Sequence, residues 1–294
     1  MTGQIETSAK KGRGLALNTL RLRHEILDMI RQGEIEPPFT VRQAYYRLVV
    51  LGCVSKSESS YGRVQRELLR LRREGLIPYG DMTDSSRIRR VARTHDGLYD
   101  ALNETAKFYR QSMWRDLDVY VEVWCEKDAL GGVISPVTMD YDVPLLSAKG
   151  YSSEGFCYSA AEEMKAEGKS RNYVYALGDF DPSGIDATRT LQEKMQRFKP
   201  DVVFERIAVN EEHLDSLEAA HRETKGSDSR AKRFFERFGR GAPSVELDAI
   251  PPSTLRQMVR DKIEQHIPDG HLEQIQNEEE QARAVLREMR QHVA

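Results

Sequence analysis

Cysteine is scarce in this chain: Cys53, Cys125 and Cys157 stand far apart in 294 residues, and no Cys-x-x-Cys pair occurs. An odd, scattered set argues against a disulfide framework or a zinc site and leaves core packing as their role. No apolar run approaches the roughly 18 residues that would span a bilayer, so no membrane partner is expected. The opening MTGQIETSAKKGRG has two lysines and an arginine but no apolar stretch. It is therefore no secretory signal; residues 1–13 read as a flexible tail, and a cytoplasmic location follows as the expectation. There is also no Gly-x-x-x-x-Gly-Lys-[Ser/Thr] loop, so any ATP-driven step would need a separate partner.

Charge, by contrast, is plentiful. Charged residues make up 31% and apolar residues 39% of the chain, which allows a buried core and excludes a disordered tail. Residues 1–116 carry 21 Lys and Arg against 14 Asp and Glu, whereas the remainder carries 23 against 33. That segregation suggests a front part that meets an anion and a rear part that holds cations.

The front reads as three helices. In 14–32, Leu15, Leu22, Ile26, Met29 and Ile30 share one face before Gly33. Pro37-Pro38 break the chain, and Thr40 suits the cap of a helix to Leu51 that buries Val41, Ala44, Tyr45 and Leu48. From about Tyr61 to Glu74, Tyr61, Val64, Leu68 and Leu71 form an apolar stripe. Arg63, Arg66, Arg70 and Arg73 form a second stripe, offset by two residues and so on the opposite face. That arginine face is a candidate DNA contact, with a solvated surface as the plainer alternative. Residues 76–80 read as a short strand and turn, which makes the front a candidate winged helix. Arg87, Arg89, Arg90 and Arg93 add charge beyond it.

The rear reads as α/β. Candidate strands at 119–125, 143–148, 172–179 and 202–209 alternate with helices at 153–168 and 184–198, which argues for a mostly parallel sheet. Helices at 229–238, 253–266 and 271–292 form a C-terminal extension, the last of them charge-rich and partly solvated. Domain boundaries are expected at 14–112 and 118–294.

The sharpest pattern is Leu177-Gly178-Asp179-Phe180-Asp181-Pro182-Ser183-Gly184. In extended chain, residues i and i+2 point the same way, so Asp179 and Asp181 can converge at a strand's C-terminal end, where open α/β sheets bind ligands. Adjacent carboxylates repel unless a cation or proton joins them, and oxygen-only clusters suit Mg²⁺, with Mn²⁺ a second candidate. Glu126, in Trp124-Cys125-Glu126-Lys127-Asp128, ends another strand ahead of a turn at Gly131-Gly132. In a parallel sheet it would open on the same edge. The structural alternative is an acidic loop that caps helices. Glu246 and Asp248 repeat the i, i+2 spacing and read as structural, or as additions to the cluster.

Residues 118–210, with Glu126, the later Asp-x-Asp and a Lys149-Gly150-Tyr151-Ser152 turn between them, resemble the Toprim domain of topoisomerases, bacterial primases and several nucleases. The resemblance implies Glu126 as an acid/base or metal-linked group and Asp179 and Asp181 as magnesium ligands. A Toprim domain behind a winged helix of the CAP type is the order found in the topoisomerase VI A subunit and its meiotic double-strand-break relatives. Arg42-Gln43-Ala44-Tyr45-Tyr46 is similar to their R-[DE]-x-[FY]-Y motif, with Gln43 departing from the acidic residue. The match puts Tyr46 in the nucleophile position and Arg42 beside it. Short stand-alone Toprim proteins of bacteria, phages and mobile elements are a closer likeness, over 40–49, 121–130, 148–153, 178–184 and 245–259.

The resemblance implies a Mg²⁺-dependent, nucleoid-associated protein acting on double-stranded DNA as a homodimer, with a separate ATPase if strands are passed. Three functions stay open. One is topoisomerase-like transesterification by Tyr46, an isomerase or cleavage activity; another is a hydrolytic nuclease using water; the third is a non-catalytic DNA-binding module. Arg42 and Tyr46 lie one helical turn apart on one face, although a phenol with a pKa near 10 needs a base or metal to attack at neutral pH. Packing beside Tyr45 and Leu48 is the alternative for Tyr46. Primase activity lacks the zinc-ribbon cysteines that would accompany it.

Overall fold

The computed structural model describes residues 17–83, 92, 94–149, 153–226 and 228–291. Arg87, Arg89, Arg90 and Arg93, the 1–13 tail and the 150–152 part of the expected turn lie outside the described residues. Three helices open the fold: α1 (Leu17–Arg31), α2 (Val41–Val50) and α3 (Glu58–Arg73). Thr40 caps α2 reciprocally with Gln43, through Gln43 N to Thr40 Oγ1 at 3.1 Å and Thr40 N to Gln43 Oε1 at 3.0 Å. Ser57 caps α3 by accepting from Ser60 N at 3.2 Å. Gly33, Gly52 and Gly75 follow the three helices at φ of 71°, 71° and 73°, the left-handed turn that a side chain resists.

Of the short strand and turn expected over 76–80, the strand does not form. That stretch is a helical turn at Tyr79–Asp81, and the local pairing is a single parallel bridge, Phe39 to Met82. Pro78 removes an N–H donor at the point where a ladder would begin, which favours a turn. A helix at Leu98–Phe108 (α4), which no strong apolar stripe announces, packs along the last helix, α10 (His271–Gln291). Ile275 is the one buried side chain among the described residues of α10, in keeping with a largely solvated helix.

The rear is an α/β unit whose four strands are all parallel: β1 (Val119–Cys125), β2 (Leu145–Ser147), β3 (Arg171–Leu177) and β4 (Val203–Ala208), in the order β2-β1-β3-β4. Helices α5 (Gly131–Asp140), α6 (Glu154–Glu167), α7 (Pro182–Phe198), α8 (Ala231–Phe238) and α9 (Pro252–Glu264) complete it. Gly131 and Gly132 begin α5 rather than forming a turn. Strand alternation sorts the side chains. Val119, Val121, Val123 and Cys125 join Val133, Ile134 and Val137 of α5 and Leu255, Val259 and Ile263 of α9. Trp124, Val174 and Ala176 face Cys157, Ala160 and Met164 of α6 and Leu191 and Met195 of α7. The first of these clusters continues into Leu22, Ile26, Ala44 and Leu68 of the front helices, so one core crosses the boundary expected near 112–118. Among the described residues no helix is long and apolar enough to cross a membrane.

One buried acid interrupts this packing. Glu122 in the middle of β1 is fully buried; it accepts from Tyr120 Oη at 3.0 Å and Trp124 Nε1 at 2.6 Å. Burial lifts its carboxyl to about 7 despite those two donors. A carboxyl raised in the folded state contributes stability that is full below its ordinary range and lost as pH rises towards 7. Glu122→Gln removes the charge and can keep two hydrogen bonds, its carbonyl accepting from Trp124 Nε1 and its amide donating to Tyr120 Oη. It should match the wild type near pH 5 and exceed it at pH 8 by on the order of 2 kcal/mol. Urea unfolding at the two pH values measures this, and a gain independent of pH would refute the assignment.

Candidate functional site

The C-terminal ends of β1 and β3 meet. Glu126 N donates to Leu177 O at 2.8 Å, and Asp179 N donates to Glu126 Oε2 at 3.0 Å. Glu126 thus lies against the backbone of Asp179, the first of the two aspartates. Space there is tight: a Cβ on Gly178 would lie 2.6 Å from Glu126 Oε2, and one on Gly184 would lie 2.3 Å from Asp179 O. Asp181 is the N-cap of α7, its Oδ1 accepting from Gly184 N at 2.7 Å, with Pro182 next in the first turn. The i, i+2 aspartates thus divide their work, Asp179 ending the strand approach and Asp181 starting the helix.

A remote segment closes the site. Phe180 and Val245 exchange backbone hydrogen bonds of 2.8 Å each way, which carries Glu246 and Asp248 alongside. Leu247 N then donates to Asp179 Oδ1 at 2.8 Å. Lys127 Nζ sits among the carboxylates, 2.9 Å from Asp179 Oδ1, 3.3 Å from Glu246 Oε2 and 2.5 Å from Asp248 Oδ2. Burial acts to lower the lysine, but Asp248, Asp179 and Glu246 hold it above its ordinary range. Arg206 reaches in from β4, donating through Nη2 to Gly178 O at 2.8 Å and Asp179 O at 2.6 Å. Burial pulls its guanidinium down to about 10 against the attraction of Glu126, Asp179 and Asp181.

Burial raises Glu126, and the charges of Asp179 and Asp181 add to that rise; burial and Asp179 likewise raise Asp181. The donors are oxygen alone, which suits Mg²⁺ or Mn²⁺. A divalent cation would relieve the repulsion that lifts Glu126 and Asp181. Among the described residues, however, no three acidic, histidine or cysteine side chains are arranged to hold one ion as they stand, and Lys127 occupies Asp179. Holding an ion there would require Lys127 to leave Asp179 and the carboxylates to draw together.

Tyr46 and Arg42 enter the same network. The Tyr46 hydroxyl accepts from Arg222 Nη2 at 2.7 Å, and Arg222 and Arg42 both pair with Glu246. Arg42 Nε also lies 3.8 Å from Asp248 Oδ2. Tyr46 is 1% exposed. Burial and Glu246 push its phenol above its ordinary range, although Arg222, Arg42 and Lys127 oppose them. The four arginines Arg63, Arg66, Arg70 and Arg73 lie on the exposed side of α3. Arg63 donates to Ser60 Oγ at 3.2 Å and Arg70 pairs with Glu67 at 2.7 Å. None of the four lines the two cavities that flank Arg42.

Lys127, Arg206 and Arg222 escaped the sequence reading. Lys127 had a signal, since it directly follows Glu126; Arg206 and Arg222 had none, because Asp179 and Glu246, which they meet, lie more than twenty residues away in the chain. No family model matches the chain, and no curated protein sequence matches it.

The tight approach of α7 to the β3 end gives a direct test. Gly184→Ala sets a methyl against a backbone oxygen that cannot rotate away, so it should destabilise the protein by about 1–3 kcal/mol. Gly155→Ala meets only Ser153 Oγ at 3.7 Å and serves as the control, with a near-wild-type melting temperature. Equal melting of the two variants would refute this packing.

Proposed function

We propose that this chain is a Mg²⁺-dependent DNA phosphodiesterase of the Toprim kind, with a DNA-binding winged-helix-like front and water as the attacking nucleophile. The observation that carries the reading is Glu126 held against the Asp179 backbone at one sheet edge, with Asp181 two residues on, and Glu126, Arg42 and Lys127 lining a cavity of 600 Å³. Those three carboxylates are balanced within the chain by Arg206 and by Lys127, which Glu246 and Asp248 share. The cluster is therefore short of positive charge.

Bound Mg²⁺ would supply Lewis-acid charge to the phosphate and help position it. The chain's own residues divide the remaining work. Arg42 and Lys127 line the cavity and hold phosphate oxygens by charge-assisted hydrogen bonds. Glu126, with one oxygen fixed by Asp179 N–H and its pKa raised, accepts a proton from the attacking water. The phenol of Tyr46 is 1% exposed and held by Arg222. Both features favour water over a tyrosine nucleophile, with Tyr46 positioning Arg222. The links from Tyr46 through Arg222, Glu246 and Lys127 to Asp179 lie within one chain. A homodimer would then supply a second copy of the site for the other strand of a duplex.

Glu126→Gln, Asp179→Asn and Asp181→Asn should each abolish nicking of supercoiled plasmid with Mg²⁺ or Mn²⁺, Asn at 181 keeping the helix cap. Tyr46→Phe should still cut, and wild-type digests should contain no protein–DNA adduct on a denaturing gel with and without protease. An inactive Tyr46→Phe together with a protease-sensitive adduct from the wild type would establish tyrosine transesterification instead.

The exposed arginine stripe of α3 supports duplex binding through phosphates. Reversing Arg66 and Arg70 together should weaken duplex binding whatever the sequence and reduce the salt slope by about 2. An unchanged slope in anisotropy titrations would mean that this face meets solvent.

A further inference from the structure

A second cavity, of 740 Å³, lies on the other side of Arg42. Its walls include Arg42, Lys56, Arg222, Tyr61, Glu58 and Glu223. Of the three cations there, Lys56 is the least compensated. Arg42 pairs with Glu246 and lies 3.8 Å from Asp248, and Arg222 pairs with Glu246, which Lys127 also uses. Lys56 Nζ donates only to backbone carbonyls, those of Ala220 and His221, the latter at 2.9 Å, and has no ion-pair partner among the described residues. Glu58 and Glu223 are exposed, where water screens them.

Lys56 and Arg222 stand close together. Their charged groups lie 5.5 and 5.9 Å from the centre of the Tyr46 ring. Burial and the charge of Arg222 pull the Lys56 ammonium down to about 8. Two like charges held together beside an open cavity are stabilised by an anion between them. The half-buried ring of Tyr61 lines both this cavity and the carboxylate cavity, as does Arg42. A ligand that crosses this shared ridge therefore has an aromatic face beside it and cationic walls ahead of it. The volume is in the range that takes a nucleotide-sized ligand.

We propose that this cavity seats the phosphate next along the strand from the one cleaved, and that the segment bound across the two cavities is unpaired. Lys56 and Arg222 grip the phosphate, and a base freed from pairing stacks at Tyr61, as single-strand binders use aromatic side chains. The phosphate seat stands on the geometry of this cavity, whereas its position next to a cleaved bond rests on the nuclease reading. Binding without metal separates the two.

The probe is a fluorescent thymidine octanucleotide, titrated by anisotropy in EDTA at several salt concentrations. Lys56→Gln should weaken binding about tenfold, as the loss of a charge-assisted contact does, and lower the salt slope by about 0.7. Lys56→Arg should restore both. Wild-type affinity in Lys56→Gln would overturn the proposal, as would an arginine variant no better than glutamine. An equal loss for a blunt duplex of the same length would overturn the unpaired assignment. Displacement of the octamer by thymidine 5′-monophosphate at equal concentration would overturn the strand and leave a mononucleotide site. Lys56-dependent binding by a chain that cuts DNA with neither Mg²⁺ nor Mn²⁺ would sink the nuclease reading alone.

Discussion

The ammonium of Lys127 ties together three stretches of chain that would otherwise repel. Asp179 comes from the end of β3, Glu246 and Asp248 from a segment more than sixty residues later, and the lysine itself from the end of β1. Without that positive charge the carboxylates would face one another in a part-buried space. Removing one partner from a buried ionic cluster commonly costs about 3–5 kcal/mol. Lys127 thus neutralises the closure of the rear unit, which the Phe180–Val245 pairing and the Leu247 N–H to Asp179 also hold.

The same charge sets the chemistry available at the sheet edge. Glu126 and Asp181 are pushed up by burial and by Asp179, while Glu246 is held low by Lys127, Arg42 and Arg222 against its own burial. Carboxyls of opposite tendency thus sit within one network, the arrangement in which separate acid, base and anchoring roles become possible. Arg206 contributes in a different way. Its hydrogen bonds to the carbonyls of Gly178 and Asp179 fix the backbone that presents the aspartates, and its own charge is weakened by burial. Gly178 and Gly184 are small because Glu126 and the backbone of Asp179 already fill the space a side chain would take.

The front helices are joined to this site by shared core and shared charge. Arg42 projects from α2 onto Glu246 and Tyr46 meets Arg222, Lys56 reaches the carbonyls of Ala220 and His221, and the apolar cluster runs without a break into the sheet. Cavities on both sides of Arg42 lie between α2 or α3 and the rear unit. Any ligand they take is held by both parts of the chain at once, so the orientation of α2 against the sheet governs the site as much as the strand ends do.

Much of this was legible in the residue pattern, because it rests on local periodicity. The cap at Thr40, the stops at Gly33, Gly52 and Gly75, the four strands, and the opposed apolar and arginine faces of α3 follow from spacings within a turn or a pleat. The convergence of Asp179 with Glu126 was also foreseeable, since parallel strands end on one edge. What the local pattern misjudged was equally local: Pro78 turns the chain where a short strand was expected, and Gly131 and Gly132 enter a helix that buries Val133, Ile134 and Val137. The tertiary structure alone decided the partners of the charges. Lys127, Arg206 and Arg222 find theirs across tens of residues of chain, and Tyr46, one helical turn from Arg42 in sequence, ends up buried beneath Arg222. Periodicity fixes which face a side chain takes on its own element; which charge it meets there depends on how the elements pack.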